Sequence, residues 1–205
     1  VGFTGFGMGF ADFDDDGWKD CLVANGRVKL PLAAPETADP YAELNQIFRG
    51  TPGGRFEEVM PRGGTAAPLY GTSRAAAFGD LDDDGDVDVV VANRDARPHL
   101  LRNLAGARGS FIELRVLDRR GLDALGANVR VRSSGRDQFM QVLVAYSYLA
   151  CNDPRVHFGL GAASSVEEVE VTWPGGARER FGPLEARRIH VLREGTGSPS
   201  AKPAK

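Results

Sequence analysis

The sequence predicts an all-β fold: a partial β-propeller of about two blades, followed by a C-terminal antiparallel β-sandwich-like domain. Three observations carry this. Glycine supplies 26 of 205 residues, about twice its usual share, and apolar residues arrive in short bursts between glycines and not at helical spacing. The stretch FADFDDDGWKDCLVAN at residues 10–25 returns as FGDLDDDGDVDVVVAN at residues 78–93, an offset of 68 that carries Asp12 onto Asp80. After Asn103 the repeat stops, and segments of alternating polar and apolar residues take over, as in antiparallel strands with one buried face.

Taken in order, residues 1–10 are glycine-rich and read as a strand in which glycines allow close backbone approach. Residues 21–24 form a short apolar strand, and residues 27–41, with Pro31, Pro35 and Pro40, an exposed loop. Residues 45–48 and 56–59 complete a four-stranded unit around the turn Thr51-Pro52-Gly53-Gly54. The second unit repeats the first, with Val23-Ala24-Asn25 returning as Val91-Ala92-Asn93. Ile47-Phe48-Arg49 then matches Leu100-Leu101-Arg102 at an offset of only 53, which leaves the first copy with a 15-residue, proline-bearing insertion. A period of this size points to propeller blades or a similar radial array, and two blades cannot close a ring of typically about 4–8. The second unit ends without a fourth strand.

Residues 110–116, 127–132, 138–145, 155–159, 167–173 and 188–193 read as the strands of the sandwich, separated by turns such as Trp173-Pro174-Gly175-Gly176. The expected domains are therefore 1–105, 106–194 and a disordered tail over 195–205, which holds nothing to bury. The first domain is read as a fragment whose remaining blades lie outside this chain.

Composition narrows the function. A formal net charge of −3 without a basic face argues against nucleic-acid binding, and no run is apolar enough to span a membrane. Two cysteines make no disulfide scaffold, and Cys21, which takes the place of Val89, reads as a small buried residue.

The acidic loops carry the chemistry. Asp80, Asp82, Asp84 and Asp88 fall within nine residues, as do Asp12, Asp14, Asp16 and Asp20. Two carboxylates about 4 Å apart repel by roughly 4 kcal/mol at an effective dielectric near 20, so such clusters call for a cation. Positions 1, 3 and 5 of each loop start a calcium shell, and Gly17 or Gly85 permits the bend. Position 7 contributes a backbone carbonyl, which leaves its side chain free to be Trp18 in one copy and Asp86 in the other. Asp20 and Asp88 close the shell at position 9, while Asp15 and Asp83 should point to solvent. Position 12 is Val23 or Val91, where an EF-hand would place glutamate, so these are not EF-hands. Magnesium suits the site less, because its strict octahedron takes fewer protein ligands.

These loops, with Phe78-Gly79 ahead of the second, resemble the FG-GAP/VCBS-type repeat, which implies calcium-binding corners in an integrin-α-like propeller. The first copy departs with Ala11 for Gly79 and Gly50 for Asn103. Residues 126–131, Tyr148-Leu149, residues 155–161 and Val169-Glu170-Val171-x-Trp173-Pro174-x-Gly176 resemble the ASPIC/UnbV domain, which follows such repeats in bacterial exported proteins and in the cartilage-acidic-protein-like family. Cys151-Asn152 replaces the family's more usual Ser-Gln-like pair. Together the resemblances imply an exported, extracellular, cell-surface or periplasmic module with two calcium ions, acting non-enzymatically in binding or adhesion to a protein or glycan. The alternative is an accessory or catalytic component of a polysaccharide-acting or natural-product biosynthetic protein.

No enzyme constellation stands out in the sequence. His99, His157 and His190 each sit in a predicted strand without a second ligand at metal spacing, and Ser147 and Ser164 lack a nucleophile elbow. Tyr146, Tyr148 and Asn152 read as a structural loop, with the lining of a ligand surface as the alternative.

Overall fold

A computed structural model of the chain describes residues 2–30, 38–60, 64–65, 67–104 and 109–200. Most of the predicted 27–41 loop, residues 31–37, lies outside them, as do residues 201–205. All regular elements among the described residues are strands.

The first half holds β1 (Gly5–Ala11), β2 (Asp20–Asn25), β3 (Glu43–Leu44), β4 (Gln46–Thr51), β5 (Arg55–Glu58), β6 (Tyr70–Gly71), β7 (Ser73–Gly79), β8 (Asp88–Asn93) and β9 (His99–Leu101). They make a four-stranded antiparallel sheet in the order β1-β2-β4-β5 and a three-stranded one in the order β7-β8-β9, with a small β3-β6 pair between. Meandering order follows from the short turns, of which Gly54 N to Thr51 O at 3.1 Å closes one. The two sheets pack face to face. Leu22 and Ala24 of the first meet Ala76, Phe78, Val89 and Val91 of the second in one buried cluster.

The glycines of β1 make that approach possible. A Cβ on Gly7 would lie 2.4 Å from the Ala76 nitrogen, and one on Gly9 2.4 Å from the Phe78 ring. The opposite face of the first sheet is apolar and open, with Met8, Phe10 and Phe56 about half exposed and the two phenylalanine rings 5.9 Å apart.

The second half holds β10 (Ser110–Leu117), β11 (Asn128–Ser133), β12 (Arg136–Gln141), β13 (Val156–Gly161), β14 (Ser165–Val166), β15 (Glu168–Thr172), β16 (Arg178–Phe181), β17 (Leu184–Glu185), β18 (Arg188–Arg193) and β19 (Ser198–Pro199). A five-stranded sheet, β12-β11-β15-β16-β19, and a three-stranded sheet, β13-β10-β18, enclose a core of Ile112, Leu114, Val129, Val131, Phe158 and Trp173, among others. This is the expected sandwich-like arrangement.

Four details correct the sequence reading. β10 and β18 pair in parallel, Ile112 opposite Arg188, because a long connection brings β18 back in the same direction. The strand expected over 138–145 ends at Gln141, and the chain beyond it crosses to the first half, where Tyr148 packs edge-on against Phe6 and Tyr146 against Phe78. Residues 178–181 form a strand that charged residues had disguised. The expected tail is ordered through residue 200: Gly195 and Gly197 donate their amides to the Glu179 carboxylate, Ser200 Oγ donates to Glu170 at 2.7 Å, and β19 pairs with β16. Polar capping, where there was nothing apolar to bury, holds it. Both cysteines are free, Cys21 buried and Cys151 exposed.

Because β7 backbone fills the space beside Gly7, Gly7→Ala is expected to cost about 1–3 kcal/mol. Gly175→Ala, in a turn with nothing within 4 Å, should stay within about 0.5 kcal/mol. Urea unfolding of the two variants compares them.

Candidate metal centre

Each acidic loop is the turn of a hairpin, β1 to β2 and β7 to β8, closed at its base by the pairs Ala11–Asp20 and Gly79–Asp88. Closing it in so few residues requires left-handed backbone at two positions. Gly17 and Gly85 take φ of +89° and +97°, and Asp15 and Asp83 take +57° and +58°. Aspartate is among the few side-chain-bearing residues that tolerate this region.

The two loops share one hydrogen-bond pattern. Asp12 accepts the amides of Asp16 at 3.1 Å and Gly17 at 2.8 Å, and Asp80 those of Asp84 at 3.2 Å and Gly85 at 2.9 Å. Asp20 accepts from Phe13 and Gly50, both at 2.8 Å, and Asp88 from Leu81 at 3.1 Å and Asn103 at 2.7 Å. Only the backbone of Asn103 is used in this bond, so glycine serves equally at position 50. Gly50 also has no alternative, since a Cβ there would lie 2.1 Å from the Lys19 carbonyl oxygen.

Carboxylate oxygens of Asp12, Asp14 and Asp20 lie within 4.8 Å of one another, as do those of Asp80, Asp82 and Asp88. Asp16 and Asp84 are engaged differently. The Arg49 guanidinium spans Asp14 at 3.0 Å and Asp16 at 2.9 Å, and that of Arg102 spans Asp82 at 2.6 Å and Asp84 at 3.3 Å. Trp18 and Asp86 donate their amides to the position-5 carboxylates, and the Trp18 ring lies 3.8 Å beneath the Arg136 guanidinium.

The donor set fits a hard divalent cation. The Asp14 Oδ1 atom is buried without a hydrogen-bond partner among the described residues, while its other oxygen is held by Arg49. Burial pushes Asp12 up to about 7 against the pull of Lys19 and the Gly17 amide, and Asp20 up to about 6; it raises Asp80 as well. A cation among these oxygens would supply the charge that burial withholds.

One position does not behave as the loop logic predicts. Asp15 is 1% exposed, with its Oδ1 3.2 Å from His157 Nε2 and not aligned for a hydrogen bond. Position 4 does turn away from the cluster, but in the first loop "away" is into the second half of the protein. Asp83 is exposed and pairs with Arg155 at 2.7 Å. Burial holds His157 down at about 3, with Lys19 adding to the effect. Behind it, Lys19, Asp80, Glu113, Asp153, Arg155 and His157 border a cavity of about 30 Å³, room for about one water. Sequence reasoning passed over Lys19, Glu113 and Arg155, whose contacts reach across as many as 138 positions. His99 and His190 lie away from the acidic clusters, in β9 and β18. Asn152 is buried and accepts the Phe78 amide at 3.0 Å, which makes its loop structural.

Residues 12–91 match the FG-GAP-like repeat, and residues 118–199 match ASPIC and UnbV. Cartilage acidic protein 1 of Xenopus tropicalis is 29% identical over 177 residues, covering 81% of this chain. The chain spans 25% of that protein's length. FG-GAP-like repeats build propeller-type folds, in keeping with the open, stacked sheets of the first half. The chain thus carries, in that order, a segment that matches the FG-GAP-like repeat and a segment that matches ASPIC and UnbV.

Proposed function

We propose that this chain is a calcium-stabilised, non-enzymatic binding or adhesion module of an exported protein, with one ion in each acidic loop. The observation that carries the reading is the duplicated cluster, in which two buried carboxylates and a third, less buried one converge, and in which Asp14 Oδ1 has no hydrogen-bond partner among the described residues. Asp12, Asp14 and Asp20, and their counterparts Asp80, Asp82 and Asp88, would hold the ion. Asp16 and Asp84 would join on release from their arginines, and Trp18 and Asp86 would add backbone carbonyls. We take residues 1–105 as blades and 106–200 as the sandwich. The relation to cartilage acidic protein 1 supports an extracellular setting. Among the described residues no helix is long and apolar enough to cross a membrane. The ligand is a protein or glycan met by surfaces other than the loops.

Extracellular calcium modules bind with Kd of roughly 10⁻⁴–10⁻³ M, so millimolar calcium should stabilise each site by about 1 kcal/mol. EDTA is then expected to lower the melting temperature by about 2–4 °C per site. Titration of calcium chloride into stripped protein should give two sites, one lost in Asp14→Asn and the other in Asp82→Asn. Those positions are chosen because Asp12 and Asp80 also hold loop amides. A melting curve indifferent to both EDTA and calcium overturns the reading.

The anchoring carboxylates and the paired arginines should separate in chelator. Asp88→Ala orphans the Leu81 and Asn103 amides and is expected to cost roughly 1–3 kcal/mol. Arg102→Gln removes a half-exposed ion pair and should change stability by less than about 1 kcal/mol, measured by urea unfolding.

A further inference from the structure

The sandwich meets the blades at both acidic loops, beside the contacts that Tyr146, Tyr148 and Asn152 make to Phe6 and Phe78. β13 and the residues before it run across both. Arg155 reaches Asp83 Oδ1 at 2.7 Å and the Asp80 carbonyl at 2.6 Å, while also holding Glu113 at 3.0 Å and Asp153. The Asp153 amide donates to the Phe78 carbonyl at 3.0 Å, just ahead of the second loop. Over the first loop, Gly161 N donates to the Asp15 carbonyl at 2.8 Å, the His157 carbonyl accepts from Lys19 at 3.0 Å, and Arg136 donates to the Gly17 carbonyl at 2.6 Å.

The fit leaves little slack. A Cβ on Gly159 would stand 2.0 Å from Asp12 Oδ2, and one on Gly85 would stand 2.0 Å from the Phe111 ring. In both loops the left-handed aspartate, Asp15 or Asp83, is among the residues that meet the sandwich. The same short turn therefore gathers carboxylates on its inner side and offers a contact on its outer side. Its conformation cannot change on one side alone.

The geometry points to a coupling: cation binding in each loop tightens the seat of the sandwich on the blades, and the seated sandwich in turn raises each loop's affinity for the cation. The reciprocity is required by linkage if either effect exists. This rests on the calcium reading given above. The first loop acts through Gly161 and Arg136, the second through Asp153 and Arg155, so each loop has its own reporter amide.

Amide hydrogen exchange of the whole chain, with and without calcium chloride, tests it. Calcium should slow exchange at the Gly161 and Asp153 amides on the order of fivefold more than at the Trp173 amide, which bonds Ala177 in a turn of the sandwich. Asp14→Asn should remove the response at Gly161 and leave that at Asp153, and Asp82→Asn should do the reverse. If calcium binds, by titration heat, but all three amides slow equally or not at all, the coupling is overturned and the metal reading stands. If no heat of binding is seen, both are overturned.

Discussion

The structure depends on buried carboxylates that hold backbone amides. Asp12, Asp20, Asp80 and Asp88 are each no more than 3% exposed, and each accepts two backbone amides, both from the turn for Asp12 and Asp80, and one from the turn and one from Gly50 or Asn103 for Asp20 and Asp88. Burying such a group without compensation costs several kcal/mol, and charge-assisted bonds to amides offset part of that. The arrangement ties position 1 to positions 5 and 6, and position 9 to the start of the turn and to the next strand over. Three strands of each blade are thereby fixed at one corner. The remaining electrostatic deficit is the reason a divalent ion suits the site.

That corner also sets where the C-terminal half can sit. The loops must bulge beyond the ends of their strands to bring carboxylates together, so they form the protruding rim of the two sheets. β13 meets them with Gly159 and Gly161, which have no side chains to hold it off, and Arg155 just before it turns its guanidinium to the outward carboxylate of the second loop. His157, pressed between Asp15 and the Phe111 ring, is kept neutral by burial. It fills space at the seam and carries no charge into it.

Much of this was legible because the information is local. The spacing of aspartates, the glycine at position 6 and the apolar strand that follows specify a carboxylate-lined hairpin turn, and both copies form one. The equivalence of Gly50 and Asn103, visible only as a mismatch in the sequence, becomes exact in the backbone amide each gives to its aspartate. Long-range relations were not legible. Alternation sets which face of a strand is buried but not which strand lies beside it, so the parallel β10–β18 pair left no trace. Asp15 looked solvent-facing because nothing within the loop covers it; Gly109 and His157, which do, lie far along the chain. Glu179 and Glu170 gave no hint that they would order the glycine- and serine-rich end of the sandwich.

Arg49 and Arg102 change what kind of object each loop is. With a guanidinium already laid across positions 3 and 5, the turn is not a bare anion awaiting an ion to fold it. An arginine in or just beyond a neighbouring strand supplies a standing, single positive charge, and the divalent ion proposed for each loop would compete for some of the same oxygens. The arginines are about half exposed, so dissolved salt screens their hold over a distance of about 8 Å at physiological strength. Raised salt therefore slackens this internal counter-ion only modestly, because each guanidinium sits within 3.3 Å of its carboxylates, well inside that distance.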